Sequence, residues 1–133
     1  MSLNLGNIPM SQVITLEADP VGDVTANFFR FPAEGRVLAA YAVNDAAIAA
    51  TTNTLAVQIG SRSTTGTHAL TTIASMEVAT WAADTPKTLT MVAANQDVAS
   101  GTWIAYFRDE AGTGNHTRMS IQIDYMLGTG ATK

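Results

Sequence analysis

Only two histidines, His68 and His116, could serve as a general base, and both stand in turn-rich surroundings, Gly66-Thr67-His68 before a strand-like run and Asn115-His116 beside a glycine-rich tip. A nucleophilic serine needs such a base within hydrogen-bond reach, and in one common arrangement a sharp strand-to-helix Gly-x-Ser-x-Gly elbow presents it. The chain has no such elbow, which argues against a serine hydrolase triad, and no cysteine, so thiolate nucleophiles and thiolate-bound zinc or iron–sulfur centres are excluded. Glycoside hydrolysis needs two carboxylates across a cleft, and among eleven acidic residues some pairing is always imaginable. Asp109-Glu110 is the one adjacent acidic pair. Its plainest role is polar turn chemistry; calcium is the competing reading, but the spacing fits no EF-hand and one pair cannot fill about six to eight ligand positions. Gly112-Thr113-Gly114 lacks the lysine and following helix of a phosphate loop. The residues therefore point away from an enzyme, with no metal or other cofactor expected, and toward binding or assembly.

Aromatic side chains are the remaining candidates, because exposed Trp and Tyr on a β-sandwich can stack against sugar rings. Trp103, Tyr41 and Tyr125 share alternating faces with Phe107, Val43 and Ile123, which predicts core positions for them. Trp81 lies in the inter-strand segment Ala79-Thr80-Trp81-Ala82-Ala83-Asp84-Thr85-Pro86. Two readings stand open there: an anchor that folds the loop over the core, or a binding hot spot.

The elements that must position these residues are strands. Met119, Ile121, Ile123 and Tyr125 alternate with Ser120, Gln122 and Asp124, and Leu55, Val57 and Ile59 alternate with Ala56 and Gln58. In Thr102–Arg108 one face carries Trp103, Ala105 and Phe107 and the other Ile104, Tyr106 and Arg108, so both faces read as covered. Further strands are predicted at Gln12–Ala18, Thr25–Phe31, Arg36–Val43, Ala69–Val78 and Lys87–Val92, separated by Asp-Pro, Pro-x-x-Gly and Ser-Gly turn signals. Asn44–Ala50 is the one place where a helix competes, since Asn44 or Asp45 could cap one or two alanine-rich turns. About eight short strands without interleaved helices predict an all-β fold, a two-sheet antiparallel β-sandwich of jelly-roll type.

Length predicts a single domain: an extended N-terminal arm at 1–11, a sandwich at 12–128 and a C-terminal tail at 129–133. The arm has no clear alternation but carries Leu3, Leu5 and Ile8, apolar groups that a soluble monomer usually hides. It is either disordered or a device for gripping a neighbour. Only 14% of residues are charged, against an average of about 25%. Such a neutral surface suits broad protein contacts, and a solvated threonine-rich β surface explains it equally well. Arginines are scattered, with no basic run to track phosphates, so nucleic acid is not expected as a partner. No apolar stretch reaches the roughly 20 residues of a membrane span, and the start lacks a signal-peptide pattern, which predicts synthesis in the cytoplasm.

Phe31-Pro-Ala-Glu-Gly-Arg-Val-Leu-Ala-Ala-Tyr, the Ala/Thr-rich Asn44–Thr54 and Asn95-Gln-Asp-Val-Ala-Ser-Gly-Thr-Trp-Ile together resemble small jelly-roll proteins from the structural clusters of tailed bacteriophages. The resemblance implies a capsid decoration, or cement, protein or a head-fibre-type component. Such a protein binds on or between major capsid subunits after shell expansion and reinforces them, often as a symmetric homo-oligomer; a trimer would suit the threefold sites of a capsid lattice. It would be made in the host cytoplasm and reside on the virion surface. The residues expected at partner interfaces are Leu3, Leu5, Ile8 and Trp81. A carbohydrate-binding β-sandwich module is the alternative.

Overall fold

The computed structural model describes residues 8–17, 24–48, 53–62, 70–78, 80–112 and 118–128. The strands are β1 (Met10–Leu16), β2 (Val24–Arg30), β3 (Gly35–Asn44), β4 (Asn53–Arg62), β5 (Leu70–Val78), β6 (Lys87–Thr88), β7 (Thr90–Met91), β8 (Asp97–Val98), β9 (Trp103–Gly112) and β10 (Met119–Leu127). Every pairing between them is antiparallel. The first sheet runs β1-β10-β3-β6, with β8 also on β3, and the second runs β2-β9-β4-β5-β7. Strands that follow one another in the chain mostly alternate between sheets, and the first and last strands are neighbours. This is the jelly-roll order.

Alternation turns one set of each strand inward. From the first sheet, Val37, Ala40, Ala42, Ile121 and Ile123 are buried; from the second, Val57, Ile59, Ile73, Ile104 and Tyr106 are buried. Large and small residues are matched across strands, with Ile121 opposite Ala42 and Ile123 opposite Ala40. Phe29, Phe31 and Tyr125 close one end, their ring centroids 5.0–5.3 Å apart. At the start of β3, Gly35 is required by close approach, because a Cβ there would run into the Met126 carbonyl oxygen and the Phe31 ring. Arg36 ties β8 to β3 through Asp97, at 2.7 Å.

Several expectations are corrected. Residues 45–48 form no helix: the Asp45 N–H donates to Arg118 O, and Ile48 exchanges two backbone hydrogen bonds with Trp81. Tertiary partners thus take the backbone groups a helix would have used, while the Asn44 side chain donates to Ala46 O instead of capping. The expected strand Lys87–Val92 is divided at buried Leu89, so that β6 joins the first sheet and β7 the second. A short 3-10 turn at Ala93–Asn95 was not anticipated. β1 begins at Met10, two residues inside the expected arm, and β9 extends to Gly112, into the expected loop tip. Residues 1–7, the tip beyond Gly112 through 117, and the tail 129–133 lie outside the described residues.

Candidate functional site

Tyr41 and Trp103 are not core residues. Tyr41 does share a face with Val43, but it is the outer face of the first sheet, because the small side chains Ala40 and Ala42 are the ones that fit against Ile121 and Ile123. In β9 the inward set is Ile104, Tyr106 and Arg108, placed opposite the inward Ile59 and Val57 of β4. Trp103 is consequently turned out and is 46% exposed. An apolar alternation on both faces of a strand does not itself say which face is inside, and here inward Arg108 ran against expectation. Its guanidinium donates to Glu17 O at 3.0 Å. Burial raises the Tyr106 hydroxyl pKa above its ordinary value, with the nearby Arg108 charge acting in the opposite direction.

Trp81 is inside, 1% exposed. Its indole N–H donates to Thr85 O at 2.6 Å and its backbone pairs with Ile48, so it fastens the 80–86 segment over the sandwich. Its ring is therefore not presented to a partner. Ile8, ahead of β1, is 54% exposed, while Leu3 and Leu5 lie outside the described residues. His68 and His116 also lie outside them, as do the Asp109 and Glu110 side chains. Among the described residues no group of three or more His, Cys, Asp or Glu side chains is arranged to hold a metal ion.

Two outer surfaces remain as candidates. The first sheet carries a depression of about 250 Å3 lined by Val13, Tyr41, Val43, Pro86, Ser120, Gln122 and their neighbours. Among the described residues no charged side chain lines it. Asp124, on the same face, is engaged by the Ser11 hydroxyl at 2.6 Å and the Gln122 amide at 2.8 Å. The second sheet carries Trp103 in direct register with Arg30 of β2. Arg62 of β4 comes to the same level, since its predecessor Ser61 stands opposite Ile104.

No protein-family model matches the sequence, and no curated protein matches it. Solved structures match over nearly the whole chain. One is a chain of the acidic stable capsid structure of Helicobacter pylori bacteriophage KHP30, with TM-score 0.53, 13% identity, and 96% of this chain and 94% of that one covered. Another is a chain of the cyanophage Pam1 capsid asymmetric unit, with TM-score 0.55, 14% identity, and coverage of 96% and 91%. Phage capsids contain this fold. At such identities the likeness concerns the fold, a jelly-roll sandwich, and the coverage adds that each matched chain is close to this one in size.

Proposed function

We propose that the chain is a structural protein of a phage virion that binds the outer surface of the capsid and stabilises the shell, acting as a decoration protein with the major capsid protein as its partner. The observation that carries this reading is the near-complete mutual coverage with chains from two phage capsids. A single jelly roll accounts for essentially the entire matched chain in each case, which favours a small accessory subunit over a domain of a larger shell protein.

The surface best suited to the shell is the outer face of the first sheet. Val13 and Tyr41, 55% and 36% exposed, stand beside Val43 and Pro86 around an uncharged depression. Apolar centres with polar rims are the usual anatomy of stable protein contacts. Ile8, with Leu3 and Leu5 before it, leads into β1 at the edge of this same sheet and would extend the contact, either on the shell or between copies in a homotrimer. Trp81 serves the surface indirectly, by fixing the segment that ends at Pro86.

Cosedimentation of the purified chain with expanded shells of the virus that encodes it tests the reading. Saturable binding that raises the shell's disruption temperature is expected, and a Val13→Asp, Tyr41→Asp double variant should lose it. Failure of the wild-type chain to sediment with the shells would overturn it.

A further inference from the structure

We propose that the outer face of the second sheet is a binding site for a carboxylate-bearing glycan, with Trp103 as the stacking platform and Arg30 and Arg62 as the groups that read the acid. The inference does not rest on the capsid reading, since it concerns the opposite face of the sandwich.

A bulge brings the site together. In a regular strand Asn27 and Arg30 would face opposite sides, yet Asn27 pairs with Ala105 and Arg30 with Trp103 on the outer face, because the register slips at Phe28. The same slip turns Phe29 inward, opposite Ile104. Arg62 then reaches across β9 on this side, its Nη1 donating to Asn27 Oδ1 at 3.2 Å. The residues beneath that crossing are Ala105 and Gly60, paired in register and offering no bulk. Adjacent strands lie about 4.8 Å apart, so Arg30 stands one strand from the indole, and the Arg62 guanidinium, carried across β9 to Asn27, lies at the neighbouring outward level.

Both cations are available. Arg36 is paired with Asp97, Arg118 with Glu17, and Arg108 is buried. Among the described residues neither Arg30 nor Arg62 is ion-paired with a carboxylate, and Glu77 of β5, opposite Ala56, lies six residues from Arg62 along the sheet, roughly 20 Å away. Arg30 lies close over Gly101, which has φ of +82° and where a Cβ would stand 3.0 Å from Arg30 Nη2. A guanidinium offers a planar fork that matches a carboxylate, and an exposed indole offers an apolar plate for the C–H face of a pyranose. Together they fit a uronic-acid-type sugar. A protein partner is the weaker fit, because a stable protein contact wants about 800 Å2 per side with an apolar centre, whereas Trp103 stands here beside Arg30, with Asn27 and the Arg62 guanidinium next along the sheet.

The test is retention of the full chain on immobilised polygalacturonate, alginate and hyaluronate, with dextran as a neutral glycan and polyglutamate as a carboxylate polymer without sugar rings. Binding to at least one acidic glycan is expected, tighter than to dextran or polyglutamate by about tenfold or more. Trp103→Ala and Arg62→Gln should each weaken it by about tenfold while leaving the thermal midpoint within a few degrees of the wild type. Retention on none of the acidic glycans, equal retention on polyglutamate, or retention unchanged by Trp103→Ala would each overturn the proposal. A Trp103→Ala variant that keeps glycan binding but loses shell binding would reassign the face to a protein partner.

Discussion

The outer face of the first sheet surrounds its depression with Val13, Tyr41, Val43 and Pro86 and has its nearby acid, Asp124, already hydrogen-bonded by Ser11 and Gln122. The outer face of the second sheet keeps two guanidinium groups near an exposed indole, one of them bonded to an amide oxygen and neither, among the described residues, ion-paired with a carboxylate. Both faces are the solvent-side halves of alternating strands in one small sandwich. What separates them is the charged group at hand: Asp124 is matched by neighbours within the first face, whereas the two guanidinium groups of the second have no ion-paired carboxylate among the described residues. A surface with its charges internally matched suits a broad contact, since little is lost when water leaves it; outward-pointing donors suit a polar ligand that can replace that water.

The two tryptophans should respond to truncation very differently. Trp81 lies in the core and holds the 80–86 segment under the first face, so Trp81→Ala should cost about 3–5 kcal/mol in urea unfolding. Trp103→Ala removes a ring from the surface and should change stability by no more than about 0.5–1 kcal/mol. Similar losses from both substitutions would contradict the assignment of inner and outer faces in β9.

A smaller effect is expected from the charge placed on the first face. Val13→Asp should weaken shell binding by about tenfold, some 1.4 kcal/mol, yet leave the unfolding midpoint nearly unchanged, because Val13 is already half in water. The same change should leave glycan retention by the second face unaltered. Loss of both activities together, read from the two binding assays on one preparation, would show that the faces are not independent.

The smallest effect concerns the layer between them. Burial raises the Tyr106 pKa in the folded protein, so its neutral phenol contributes stability that is fully present below the ordinary tyrosine range and is lost as pH rises through it. The sign follows from proton counting: above pH 10 or thereabouts the unfolded chain releases the proton while the folded chain retains it. Denaturant unfolding of wild type and Tyr106→Phe, compared between pH 8 and about 11, should therefore show a steeper decline for the wild type. Parallel curves would place Tyr106 in a wetter setting than its inward position indicates.

Much of the fold was legible because strand alternation is a local property. The segments around Val57, Ile104 and Ile121 announce themselves by period two, and Pro and Gly mark their ends, so an eight-strand sandwich follows from residues alone. Composition likewise identified a chain with no cysteine chemistry and no basic track. The site was less legible for reasons that are equally physical. Alternation assigns residues to faces but does not say which face is inside when both are apolar, and that choice depended on volumes in neighbouring strands, Ala40 and Ala42 against Ile123 and Ile121. The slip at Phe28, which sets Asn27 and Arg30 on one side, has no marker in the local sequence. Arg62 stands some thirty residues from Arg30 and forty from Trp103 in the chain, and only pairing through β9 brings the three to one level. The sequence determined the strands and the lack of any cysteine; the tertiary structure decided which aromatic rings meet water and which cations stand beside them, because those depend on contacts between strands that are distant along the chain.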